Sequence, residues 1–164
     1  MVETPAAAAR AQELAACCAF LSIGTNDLTH AVLGSDRFAA GGAPAHHPLV
    51  LAAVARVARA AAAAGIPLEV CGEAASDPVT MPLLVGLGVD ELSVGAARVG
   101  TVREWVRQLS AAEAAVLAGR ALGCHDAADV AALVRDASGV RLDEPGDAGF
   151  ESVDGGVRTI ALGP

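Results

Sequence analysis

Residues 22–37 read Ser-Ile-Gly-Thr-Asn-Asp-Leu-Thr-His-Ala-Val-Leu-Gly-Ser-Asp-Arg. An apolar run over 19–24 predicts a buried strand. It runs into a polar Thr25-Asn26-Asp27 tip, and residues 27–33 follow as a short helical turn. Arg37 comes one short segment later. A carboxylate, an amide and a guanidinium gathered at one strand end suit a metal-bound phosphate.

The same unit repeats outward from this stretch. Pro67 to Cys71 reads as a second strand ending at Gly72-Glu73, with a short helix over 78–86 after Asp77. Asp90 to Val94 reads as a third strand, followed by helices over 99–109, 111–122 and 126–137, the last capped by Asp126. Upstream, residues 6–17 read as a helix with Pro5 in its first turn. Residues 38–46 read as a Gly/Ala loop. Residues 48–64 read as a strong helix between Pro48 and Gly65, with Leu49, Val50, Ala53, Val54 and Val57 at helical spacing. Strands alternating with helices predict parallel βα units. A parallel sheet is covered on both faces or closed into a barrel. The polar motifs fall at the C-terminal strand ends, where ligands bind in such folds.

Composition narrows the classes. The chain of 164 residues fits one ordinary domain. It is 54% hydrophobic but only 2% aromatic, with much of the apolar fraction alanine, so each core residue buries little area. A net charge of -8 argues against a nucleic-acid partner. No apolar run is long enough to span a bilayer. No basic stretch leading into an apolar one opens the chain. The four cysteines (Cys17, Cys18, Cys71, Cys124) lack C-x-x-C spacing, so reduced thiols in a cytoplasmic protein are expected. Cys17 and Cys18 are expected on a helix, one packed and one half-exposed. Residues 1–137 are read as the folded unit. Residues 138–164 are read as a mobile tail or a weak hairpin around Asp154-Gly155-Gly156.

Each candidate residue has two readings. Glu3 and Asp27 suit a shared Mg²⁺ that takes its remaining ligands from water and a phosphate, or each is a capping acid. Asn26 can donate to a phosphate oxygen or merely form a turn. Arg37 can bind phosphate or lie exposed. Cys71, at a βα junction beside a glycine, is a catalytic thiol or inert packing. His47 opens a helix and reads as a cap, and His30 neighbours the site in a supporting place.

Six ordered segments resemble the C-terminal catalytic barrel of the PEP-utilising enzymes. They are Met1-Val2-Glu3-Thr4-Pro5-Ala6-Ala7, Ser22 to Thr29, Ser35-Asp36-Arg37, His47-Pro48, Val70-Cys71-Gly72-Glu73, and Gly86 to Ser93. The Val-Glu-Thr-Pro start and the Asp-Glu-Leu-Ser strand look most like the enzyme I branch, the phosphoenolpyruvate–protein phosphotransferases of sugar transport. Pyruvate phosphate dikinase and phosphoenolpyruvate synthase share the Asn-Asp and Cys-Gly motifs. The resemblance implies the C-terminal half of a (β/α)8 TIM-type barrel with phosphoenolpyruvate and pyruvate as ligands. It implies Glu3 and Asp27 as Mg²⁺ ligands, Asn26, Asp27 and Arg37 on the phosphate, and Cys71 as the acid that protonates the enolate. It further implies a homodimer through the barrel, and a phosphocarrier protein reached only through an N-terminal domain. His30-Ala31 and Gly72-Glu73-Ala74-Ala75 depart from the family pattern. Strands one to four and a phosphohistidine domain lie outside this sequence. A C-terminal fragment that is inactive alone is therefore expected; the alternatives are a pyruvate phosphate dikinase- or phosphoenolpyruvate synthase-like fragment, a non-catalytic dimerisation or regulatory half-barrel, and a decayed remnant without activity.

Overall fold

The structure is a computed structural model and describes residues 1–35, 43–137 and 156–162. Arg37, the first part of the expected 38–46 loop, and Asp154-Gly155 of the expected hairpin lie outside the described residues.

Three short strands form a parallel sheet: β1 (Leu21–Gly24), β2 (Leu68–Cys71) and β3 (Glu91–Gly95). Val2 extends it beyond β1 with one parallel bridge to Ile23, held by Val2 N–H to Ser22 O (2.7 Å) and Gly24 N–H to Val2 O (3.1 Å). At the other edge β4 (Val157–Ala161) pairs antiparallel with β3, giving the order β1-β2-β3-β4. The expected α/β class with a mainly parallel sheet is what the chain adopts.

The helices are α1 (Pro5–Ala9), α2 (Ala11–Ala15), α3 (Thr25–Leu33), α4 (Pro48–Ala64), α5 (Thr80–Gly86), α6 (Val99–Gln108), α7 (Ala111–Ala121) and α8 (Ala127–Asp136). Their caps follow from the sequence. Thr4 accepts from Ala7 N–H, Ser110 from Glu113 N–H and Asp126 from Asp129 N–H. His47 Nδ1 accepts from Leu49 N–H, so it caps α4 as its position before Pro48 predicts.

Three expectations shift. The single helix over 6–17 is two helices that meet at Arg10, whose N–H is shared between the Ala6 and Ala7 carbonyls in a tightened turn. Helix α2 ends at Ala15, so Cys17 and Cys18 are both exposed beyond it. The Cys17 thiol turns back onto the Leu14 and Glu13 carbonyls. Thr25-Asn26-Asp27 is not a tip before a helical turn but the first turn of α3 itself.

The parallel strands alternate, and this decides which way the sheet faces. Leu21, Ile23, Leu68, Val70, Leu92 and Val94 are buried together with the inward face of α4, in the main core cluster. Burying an aliphatic side chain of this size contributes roughly 1.5–3 kcal/mol. A second cluster (Leu51, Leu83, Leu117, Ala118, Ala121, Val130) joins α4, α5, α7 and α8. The opposite face of the sheet is polar: Ser22, Glu69 and Ser93 occupy the alternate positions. A parallel sheet covered by helices on both faces reads as continuous apolar runs, so this alternation marks a sheet with one helical and one polar side.

Small residues set the helix spacing. A Cβ built on Gly86 of α5 would sit 2.0 Å from the Ala114 carbonyl oxygen and 2.9 Å from Ala118 Cβ. The α5–α7 crossing therefore depends on a missing methyl. Gly86→Ala is expected to lower stability by roughly 1–3 kcal/mol, the usual cost of overpacking, although alanine favours the helix by about 1 kcal/mol. A urea midpoint that stays the same or rises would contradict this packing.

Candidate functional site

The C-terminal ends of β1 and β2 lie side by side, with Gly24 registered against Cys71. Side-chain hydrogen bonds join these two ends. The buried Thr25 hydroxyl donates to the Cys71 carbonyl at 3.0 Å. Glu73 N–H donates to Asn26 Oδ1 at 3.3 Å. The Cys71 thiol donates to the Ile23 carbonyl at 3.5 Å, and Ser22 Oγ donates to Cys71 Sγ at 3.8 Å.

Glycine at 72 makes this approach possible. Its φ is +115°, a region side chains rarely adopt. A Cβ there would meet Thr25 Oγ1 at 2.5 Å and Asn26 Oδ1 at 3.0 Å. On the other side of β1, the Glu3 side chain folds over Gly24. A Cβ at 24 would lie 2.7 Å from both Glu3 Cγ and Glu3 Oε1. The bare backbone of Gly24 thus gives the Glu3 carboxylate its place at the end of β1, where Asp27 sits half-buried in the first turn of α3. First-turn backbone N–H groups carry partial positive charge, which favours an anion at this strand end.

The structure therefore brings Glu3, Asn26, Asp27 and Cys71 to adjacent strand ends. Arg37 is outside the described residues. Among the described residues no three His, Cys, Asp or Glu side chains cluster closely enough to hold a metal unaided. Glu3 and Asp27 offer two hard carboxylates at one strand end, and Mg²⁺ commonly takes one or two from protein, completing its shell with water and substrate phosphate. The donor set fits that ion.

The third strand end is fixed to the second. Arg98, in the turn after β3, donates from Nη2 to the Ser76 carbonyl at 3.0 Å and lies 5.5 Å from the centroid of the Trp105 ring. This cation–π contact orients the guanidinium. Beneath the strand ends, on the polar face, Ser93 Oγ donates to Glu69 Oε1 and sits 2.9 Å from Thr159 Oγ1.

A cleft of about 530 Å³ opens beside the Asn26–Glu73 contact, within the range of small-molecule sites. Thr29, His30, His46, Asp77 and Thr80 also line it. The Thr29 hydroxyl is buried and has no hydrogen-bond partner among the described residues. His30 Nδ1 is 2.9 Å from Ser35 Oγ, which fastens the end of α3. Burial holds the His46 pKa below the ordinary imidazole value, partly opposed by Asp77 and aided by His47.

Sequence reasoning misses the latch formed by Thr25, Gly72 and Glu73, although all three lie within the Ser22–Thr29 and Val70–Glu73 motifs. It also misses Ser22, Glu69 and Ser93. Their signal is the alternation in Leu68-Glu69-Val70-Cys71 and Glu91-Leu92-Ser93-Val94, which a fully covered parallel strand would not show.

Residues 1–111 match the family model described as the PEP-binding domain of PEP-utilising enzymes. The chain is 45% identical over 136 residues to a multiphosphoryl transfer protein of Rhodobacter capsulatus, covering 81% of this chain and 16% of that protein. It is 40% identical over 139 residues to a phosphoenolpyruvate-protein phosphotransferase of Haemophilus influenzae, covering 83% of this chain and 24% of that one. A phosphoenolpyruvate-protein phosphotransferase of Haloferax volcanii is 41% identical over 138 residues, covering 82% and 24%. The chain thus spans a quarter or less of the length of these relatives.

The latch yields a direct test. Gly72→Ala is expected to cost roughly 1–3 kcal/mol through backbone strain and the clash with Thr25. It should also speed amide exchange at Glu73, whose N–H bonds to Asn26. Unchanged stability together with unchanged Glu73 exchange would remove the latch.

Proposed function

This chain belongs to the PEP-utilising enzymes, matching their PEP-binding domain, and from that footing we propose that it supplies one side of a phosphoenolpyruvate site in a Mg²⁺-dependent phosphotransferase of the enzyme I type. The supporting observation is the latch from Thr25 and Asn26 to Cys71 and Glu73. It holds the Cys71 thiol, the Asn26 amide and the start of α3 with Asp27 at neighbouring strand ends, and Glu3 lies against Gly24 at the same end, the place where βα folds bind ligands. The polar inner face of the sheet supports the further reading that these strands form half of a (β/α)8 barrel, since one face is clad in helices and the other is free to line an interior.

The roles follow from chemistry and position. Glu3 and Asp27 would hold Mg²⁺ through oxygen, and the bound ion would offset charge on the phosphate and enolate oxygens. Asn26 can donate from its amide nitrogen to a phosphate oxygen while its Oδ1 stays on Glu73 N–H. The first-turn N–H groups of α3 add fixed positive potential toward the same anion. Arg37, by its place in the sequence, is assigned to the phosphate, where a guanidinium can bind two oxygens at once.

When the phosphoryl group leaves for a protein histidine, the enolate left behind needs a proton on carbon to become pyruvate. The Cys71 thiol is the donor placed at the strand end, and its proton is directed to the Ile23 carbonyl until an acceptor arrives. The acceptor histidine, a phosphocarrier protein, a homodimer through the barrel and sugar transport belong to this same proposal.

A chimera tests it. This chain would replace the matched segment of the Rhodobacter capsulatus relative, and Cys71→Ala would be compared with the parent chimera. Pyruvate release is expected to fall about 10²-fold or more, the usual weight of a general acid, with phosphoenolpyruvate affinity retained. Equal turnover would take Cys71 out of the mechanism.

A further inference from the structure

The sheet runs parallel from Val2 through β3 and reverses only at its last step. β4 covers the outer edge of β3 along its whole length, from Glu91 opposite Ala161 to Gly95 opposite Val157. The ladder continues one residue past each end: Ala96 N–H donates to Gly156 O and Leu162 N–H to Asp90 O, both at 2.8 Å. Thr159 Oγ1 sits 2.9 Å from Ser93 Oγ and donates to Glu69 Oε1 at 3.4 Å, so β4 also serves the polar face. Yet β4 is thinly held. Ile160 is its buried residue, while Val157, Arg158, Thr159 and Ala161 are exposed.

A strand edge pairs with one neighbour at a time. In a closed eight-stranded barrel every edge is used, and the last strand pairs in parallel with the first. We propose that β4 is a detachable occupant of the edge where a parallel, barrel-closing strand docks, so that β4 pairing and barrel completion exclude each other. The proposal rests on the half-barrel reading of the proposed function.

β4 does for the outer edge of β3 what closure does in a whole barrel. It satisfies the outward N–H and C=O groups of β3, which would otherwise template edge-to-edge association. The displacing partner is a polypeptide segment of defined chemistry. It runs parallel to β3. It presents a hydrogen-bond donor toward the Glu69 carboxylate, where Thr159 now donates. It places an apolar side chain where Ile160 now closes the core.

A reversible lock tests the exclusion. The bonds at Ala96 and Leu162 set the alternation of the ladder, which makes Glu91 and Ala161 a non-hydrogen-bonded pair. Such pairs have Cα atoms about 4.5 Å apart, within disulfide reach. The full chain carrying Glu91→Cys and Ala161→Cys would be compared in oxidised and reduced forms. The probe is the Haemophilus influenzae relative shortened by the segment that this chain matches, with association followed by sedimentation. The oxidised chain is expected to bind about tenfold or more weakly than the reduced chain. Equal binding by both forms would overturn the exclusion while leaving the half-barrel standing. No binding by the reduced form would overturn the half-barrel reading, and the proposal with it.

Discussion

The hydrogen bond from the buried Thr25 hydroxyl to the Cys71 carbonyl is the constraint on which the site depends. It ties the first turn of α3 to the last residue of β2. It forms only because residue 72 has no side chain. From it follow the approach of Asn26 to Glu73 and the place of the Cys71 thiol beneath β1. A backbone carbonyl is an acceptor that no mutation of Cys71 removes, so the two strand ends stay joined whatever side chain stands at 71. The chemistry of the site can therefore vary without its frame.

The frame is built with small residues rather than large ones. Glycine at 24 makes room for Glu3, glycine at 72 for Thr25, and glycine at 86 for α7. An alanine-rich core buries little per residue, so stability comes from close approach of backbones and from capped helices. The polar face is maintained differently. Ser93, Glu69 and Thr159 satisfy one another there, and this network draws β4 onto the sheet. The candidate site and the edge covered by β4 are thus two parts of one surface.

Much of the fold is legible in the chain. The βα order, the long helix between Pro48 and Gly65, the Asp126 cap and the three parallel strands follow from turn residues and apolar periodicity, and the structure has them. Glu3 is legible as a candidate carboxylate, but the contact that places it is not, because it is a close approach to Gly24, 21 positions away. The break at Arg10 carries no glycine or proline to announce it. The start of α3 at Thr25 is hidden because a polar Thr-Asn-Asp run suits a turn and a helix N-terminus equally well. Local pattern makes β4 one arm of a hairpin, but its partner is β3, chosen by a side-chain network that local sequence does not reveal.

The central claim is that one end of the β1–β2 pair binds a metal-assisted phosphate ester. Backbone amide shifts of the chain titrated with millimolar phosphoenolpyruvate, with and without Mg²⁺, test it most directly. The account predicts Mg²⁺-dependent shifts centred on Glu3, Gly24 to Asp27 and Cys71 to Glu73. Shifts centred instead on the opposite strand ends around Pro67 and Asp90, or none at any concentration, would contradict it.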